Sequence, residues 1–164
     1  MNAHWKPVYV GLGSNLDNPV KQVESALGKL AAIPRTRLIR QSSLWRSEPF
    51  GGVEQPEFVN AAASLLTSLE PLGLLLELQR IENESGRNRD EVRWGPRILD
   101  LDLLVYAGQT IDLPELQVPH PGIAERNFVL LPLKEIAPLI SIPGLGLLRN
   151  ISTEACATGI SRIG

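Results

Sequence analysis

The sequence predicts an α+β fold with core order β-α-β-β-α-β, an antiparallel sheet covered by helices, and a C-terminal extension. Three observations predict it. Short apolar and β-branched runs fall at 7–12, 57–67 and 98–106. Two stretches with helical spacing fall between them, at 19–32 and from Pro71 to Gly86. Turn-forming residues separate each pair: Gly13-Ser14-Asn15, Pro34 and the Pro/Gly-rich 47–56 (SEPFGGVEQP).

Residues 7–12 (PVYVGL) read as a buried strand. Asp17 or Asn18 can cap a helix with Pro19 in its first turn, and Val20, Val23, Leu27 and Leu30 form its apolar stripe. Residues 36–46 read as one strand exposed on one side. In 57–67, Phe58, Asn60 and Ala62 share one face and Val59, Ala61 and Ala63 the other. The second helix places Leu72, Leu75, Leu76 and Leu78 among its apolar positions and ends at Gly86, a natural left-handed cap. Residues 98–106 (ILDLDLLVY) are an almost unbroken apolar run, the pattern of a central strand. This order is the split βαβ arrangement of ferredoxin-like folds. A third helix is expected near 122–136, and 150–164 carries no assignable pattern.

The length of 164 residues suits one domain over 1–164. Net charge is −2 and the pI about 5.7, which argues against a general nucleic-acid or anionic-membrane binder. The single cysteine, Cys156, excludes an internal disulfide and a cysteine-built zinc site. Residues 1–7 contain no apolar signal core, and no run approaches the ~18 apolar residues of a membrane span. A soluble, cytoplasmic protein is expected.

Asp100-Leu101-Asp102 is the sharpest local signal. On a strand, residues i and i+2 point to one face about 7 Å apart. Two carboxylates so placed can share or bridge hard divalent cations, and magnesium completes its shell with water and phosphate oxygens. The bland alternative is two aspartates solvated on an exposed face. The apolar flanks weigh against it, because burying two like charges without a cation is costly. Leu99, Leu101 and Leu103 then face the other way.

Arginine supplies twelve of the sixteen positive residues, and Arg80, Arg87, Arg89, Arg93 and Arg97 cluster upstream of the aspartates. Arginine suits bidentate phosphate recognition. Beside a metal pair, it provides what phosphoryl-type transfer requires, namely charge neutralisation and positioning. The competing reading pairs these arginines with Glu82, Glu84, Asp90 and Glu91 at the surface.

Two nucleotide motifs fail. No G-x-x-x-x-G-K-[ST] occurs, and Gly11-Leu12-Gly13-Ser14-Asn15-Leu16 lacks the third glycine of a dinucleotide fingerprint. His4 and His120 are the only histidines, too few for a histidine-rich metal site. His120 lies between Pro119 and Pro121, where it is either structural or a rigidly held phosphate contact. Trp94 and Phe128 also read as core aromatics.

Arg93-Trp94-Gly95-Pro96-Arg97-Ile98-Leu99-Asp100-Leu101-Asp102-Leu103-Leu104 resembles the signature of the 6-hydroxymethyl-7,8-dihydropterin pyrophosphokinase family of folate biosynthesis. Gly11–Leu16, Ser47–Gly51, Gln55-Pro56, Phe58–Ala61, Gln79–Glu82 and Val118–His120 with Arg126 and Phe128 resemble further family segments. The likeness runs in order from about residue 8 to 150. It implies a single pyrophosphokinase domain that moves the β,γ-pyrophosphoryl group of ATP to the pterin hydroxymethyl oxygen, releasing AMP. It also implies a monomer, with no nucleic-acid or membrane partner.

By the same resemblance, Asp100 and Asp102 hold two Mg2+ ions, and Arg87 and Arg97 contact the triphosphate. ATP is further bound by Gln79, Glu82, Arg89, Trp94, Leu103, His120 and Arg126. Phe58 and Phe128 sandwich the pterin, and Asn60 reads its edge. Ser47, Glu48, Phe50, Trp94 and Asp100 complete that pocket. A flat heteroaromatic is well read by two stacked rings and one amide that both donates and accepts. Pro121, Glu115 and Gln117 depart from residues found in some family members near the nucleotide.

Two other classes are testable. A ferredoxin-like RNA-binding module would carry the aromatic strand motif of such proteins, which is absent. A small-molecule sensor of this fold would not need two aspartates together on a strand.

Overall fold

The computed structural model describes residues 4–49, 54–86, 98–153 and 159–163. In chain order the elements are β1 (Lys6–Ser14), α1 (Pro19–Ala31), β2 (Thr36–Gln41), β3 (Trp45–Ser47), β4 (Phe58–Thr67), α2 (Pro71–Glu84) and β5 (Asp100–Tyr106). There follow β6 (Ile111–Leu113), β7 (Leu116–Val118), α3 (Asn127–Ile136), β8 (Ser141–Ile142), β9 (Gly146–Leu147) and β10 (Ile160–Arg162).

The main sheet runs β10-β3-β4-β1-β5, with β2 also paired to β4, and every pairing is antiparallel. Because β2 and β3 both lie along β4, they form one interrupted second strand. The core is therefore the ferredoxin-like arrangement, with the first and third strands inside and the last at the edge.

Strand alternation divides the interior into two layers. Val8, Val10, Leu12, Val59, Ala61, Ala63, Leu101 and Leu103 meet Val23, Leu27 and Leu30 of α1 and Leu74, Leu78 and Ile81 of α2. The opposite face places Ala62, Leu104 and Val105 against Val129, Leu130, Leu133 and Ile136 of α3. The sheet thus lies between α1 and α2 on one side and α3 on the other.

Several expectations change. The apolar run ending at Tyr106 is an edge strand, not a central one. Its backbone is nonetheless engaged at that edge. Leu101 N–H donates to Glu82 Oε2 (2.9 Å) and His120 N–H donates to Leu104 O (2.9 Å). An edge covered in this way can keep an apolar sequence. The segment 36–46 breaks into β2 and β3 at Ser42. There, Ser42 N–H donates to Ala62 O (2.8 Å) and Ala62 N–H to Ser42 Oγ (2.9 Å).

On α2, Leu74 and Ile81 face the core with Leu78, whereas Leu72 and Leu76 are exposed. Helix α1 starts after Asn18, but the residue adopts a left-handed conformation (φ 62°) and makes no side-chain cap. Gly86 does turn left-handed after α2, at φ 89°. The third helix begins at Asn127 rather than near 122. The C-terminal residues 160–162 add β10 to the sheet beside β3.

Candidate active site

The β1 register brings the predicted residues into rows. Asp100 opposes Gly13, Gly13 opposes Asn60, and Asn60 opposes Trp45; one step along, Asp102 opposes Gly11, which opposes Ala62. Directly opposed residues share a face. Both carboxylates and Asn60 therefore lie on the α3 side of the sheet, where Ala62 packs against that helix.

Asp100 and Asp102 are half-buried, while Leu99, Leu101 and Leu103 are buried on the other face. The side chain of Leu103 is therefore committed to the core, and only its backbone is available to a ligand. A bulge between the Tyr9 and Val10 pairs sends Leu104 and Val105 together into the α3 layer. Glycine clears the ground between the strands. A Cβ at Gly13 would sit 3.3 Å from Asn60 Oδ1.

Among the described residues, no group of three or more His, Cys, Asp or Glu could hold a metal ion. Two carboxylates alone fit a cation that takes its other ligands from water and phosphate, as magnesium does. Structural zinc sites are built instead from cysteine and histidine.

Glu82, only 5% exposed, directs its carboxylate to the backbone between the two aspartates through Leu101 N–H. This sets the height of β5 against α2. The half-buried Gln79 lies on the same helix, one turn before Glu82, and beyond the helix end a Cβ at Gly86 would sit 3.4 Å from Ile98 Cδ1. Gln79 and Arg80 line a shallow recess with Leu76, Asn83 and Glu84.

His120 is tied by its own N–H to Leu104 O, two residues beyond Asp102 on β5. Gly122 N–H donates to His120 Nδ1 (3.0 Å). In the neutral ring the proton then sits on Nε2, which makes that atom a donor. Burial first, and the nearby Arg126 charge second, lower the His120 pKa to about 4, so the ring is neutral at physiological pH. Arg126 crosses Gly122 so closely that a Cβ there would lie 2.5 Å from Arg126 Nε.

Asn60 is 2% exposed and donates through Nδ2 to Ser47 Oγ (2.7 Å). Phe58 opposes Ser47 across β3–β4 and shares the Asn60 face, while Phe128 stands in the first turn of α3 against the second core. Glu48 is exposed at the end of β3, its N–H donating to Gly159 O (2.9 Å). Phe50, Arg87, Arg89, Trp94 and Arg97 lie outside the described residues.

Sequence reasoning passed over the roles of four residues, Asn15, Ser43, Trp45 and Glu135. Asn15 donates to Gln55 Oε1 and Pro56 O (both 2.9 Å), holding the segment before Phe58 to the end of β1. Ser43 and Trp45 both donate to Glu135 on α3. None of these has a local signal, because the partners lie 40 or more positions apart.

The chain is thus an α+β protein of ferredoxin-like fold, its antiparallel sheet carrying a half-buried carboxylate pair in register with a buried amide. The model of the family 7,8-dihydro-6-hydroxymethylpterin-pyrophosphokinase (HPPK) matches residues 9–138, and the chain belongs to this family of diphosphotransferases. It is similar to the Pseudomonas aeruginosa 2-amino-4-hydroxy-6-hydroxymethyldihydropteridine pyrophosphokinase, 47% identical over 95% of this chain and 96% of that protein. The Haemophilus influenzae protein of the same name is 45% identical over 87% of this chain and 89% of its own length. A crystal structure of Plasmodium falciparum HPPK-DHPS shares the fold at a TM-score of 0.74 and 15% identity, over 99% of this chain and 49% of that one. No helix among the described residues is long and apolar enough to cross a membrane.

Proposed function

We propose that this chain, as one cytoplasmic, monomeric domain over 1–164, transfers the β,γ-pyrophosphoryl group of ATP to 6-hydroxymethyl-7,8-dihydropterin in folate biosynthesis. The observation that supports the reading is the row Asp100–Gly13–Asn60, in which a carboxylate and an amide share one face of the sheet. Its partners in the family match point the same way.

In the reaction the pterin hydroxymethyl oxygen bonds to the β-phosphorus of ATP. The bond from that phosphorus to the α,β-bridging oxygen breaks, AMP leaves, and the hydroxyl proton passes to solvent. Asp100 and Asp102 would hold two magnesium ions, which would neutralise polyphosphate charge. The neutral Nε2–H of His120 would donate to a phosphate oxygen, with the Arg126 guanidinium beside it. Arg87 and Arg97 would meet the triphosphate, and charge spreading onto the transferred group would strengthen those contacts in the transition state. Arg89, Trp94, Gln79, Glu82 and the Leu103 backbone would complete the nucleotide site.

Phe58 on β4 and Phe128 on α3 would stack on the two faces of the pterin. Asn60, steadied by Ser47, would use its Oδ1 and second N–H on the ring edge, with Glu48 and Phe50 at the rim. The deciding assay supplies ATP, magnesium and the hydroxymethyl-dihydropterin, and separates nucleotides by chromatography. AMP should form in step with pterin diphosphate and stop on chelation. Formation of ADP, or turnover without the pterin, would overturn the reading.

A further inference from the structure

Glu135 lies at the C-terminal end of α3, far along the helix from Phe128. Seven residues are about two turns, so both side chains leave α3 on one stripe. Phe128 packs on the second core, and Glu135 meets the break between β2 and β3. Its two oxygens take separate duties. Ser43 N–H and Ser43 Oγ donate to Oε2 (2.9 and 2.8 Å), and Trp45 Nε1 donates to Oε1 (3.0 Å).

Trp45 opens β3 and Ser43 stands in the break just before it, and β3 pairs with β4, the strand that carries Asn60. Trp45 opposes Asn60, and two residues on, Ser47 opposes Phe58 and accepts from Asn60 Nδ2 at 2.7 Å. Arg162 of β10 lies over the Trp45 ring, 5.1 Å from its centroid, on the outer side of β3. Arg40 Nη1 adds a second tie to the helix end through Ile136 O (3.3 Å). The carboxylate thus joins the element bearing Phe128 to the strands bearing Phe58, Asn60 and Ser47.

We infer that Glu135 is a positioning residue for the pterin: through Ser43 and Trp45 it sets the gap between the Phe128 and Phe58 sides of the pocket. This rests on the pterin reading of that pocket. A stacked ligand is sensitive to such a gap, because dispersion falls steeply once surfaces separate by 0.5–1 Å. On the nucleotide side, the residues of β5 and α2 and His120 lie on other elements than the brace, and among the described residues Arg126 alone adjoins α3, at its N-terminal end and opposite to Glu135.

The test is Glu135→Gln in the full-length protein. Glutamine keeps one acceptor oxygen, so its NH2 must oppose either the Ser43 donors or the Trp45 N–H. An unmet donor in a partly buried site corresponds to about a tenfold loss. The expected result is about tenfold weaker pterin binding by calorimetry and a matching rise in pterin KM, with the ATP KM unchanged. Trp45→Phe in the Glu135→Gln background removes the opposed N–H and should restore part of the affinity. A folded Glu135→Gln protein with wild-type pterin affinity, or one whose two KM values rise together, overturns the inference. Should that variant not fold, Ser43→Ala carries the same test: a pterin-only loss supports the brace, and none overturns it. If the wild-type protein itself binds no pterin, the pocket assignment fails and this inference with it.

Discussion

Asp100 and Asp102 are ordinary aspartates made special by where a strand puts them. Both leave β5 on the face that Asn60 shares, and Glu82 holds the backbone between them. Asp100→Ala should lose at least about a hundredfold in kcat, the scale of removing one preorganised charge contact. Its circular dichroism should stay native, since Asp100 is half-exposed and the core residues Leu99 and Leu101 remain. Retained turnover would remove the metal role from this residue. His120 makes a different prediction. Its pKa is lowered from 6.5 to about 4, so as pH falls through this window the unfolded chain takes a proton that the folded chain refuses. Stability contributed by the neutral ring is thus full above 6.5 and lost toward 4. Denaturant midpoints measured across that range should fall with pH, and His120→Asn should flatten the slope.

At the scale of elements, α2 shows how spacing alone can leave a face undecided. Leu72, Leu75, Leu76 and Leu78 look equally apolar in sequence, yet the sheet meets the side carrying Leu74, Leu78 and Ile81. With Leu74 they make five leucines within seven positions, which cover most of the helix circumference, so periodicity does not choose a side. Leu78→Ala, at 0% exposure, should cost about 2–5 kcal/mol in urea unfolding. Leu76→Ala, at 66% exposure, should change stability by no more than about 0.5 kcal/mol. Equal costs would contradict the packing of α2. Strand β5 misleads for a related reason. Its unbroken apolar run usually signals two sheet neighbours, but here one edge is covered by Glu82, His120 and α2 instead.

Across the whole molecule, the Glu135 carboxylate bridges the α3 layer and the sheet. Burial pushes its pKa up, but hydrogen bonds from Ser43 and Trp45 and the Arg162 charge outweigh that and hold it below the usual carboxylate range. A depressed carboxyl stabilises the fold above its unfolded pKa, and this stabilisation is lost as pH falls through the folded value. Glu135→Gln should therefore weaken the fold at neutral pH and show a shallower acid limb than wild type, read from melting temperature against pH. An unchanged limb would show that the carboxylate adds no linked stability.

The fold order, the alternation that places Asn60 beside Phe58, and the aspartate pair were legible because each depends on neighbours within a few residues. A period of two or 3.6 is a local property of the backbone. The family signature around Asp100 was legible for the same reason, being contiguous. Tertiary structure alone decided that β5 ends at an edge and that residues 160–162 extend the sheet. It alone paired Glu82 with Leu101 over 19 positions and Glu135 with Trp45 over 90. Such pairs form because a buried or half-buried carboxylate must find donors wherever packing leaves them, and no local pattern records which distant backbone will arrive.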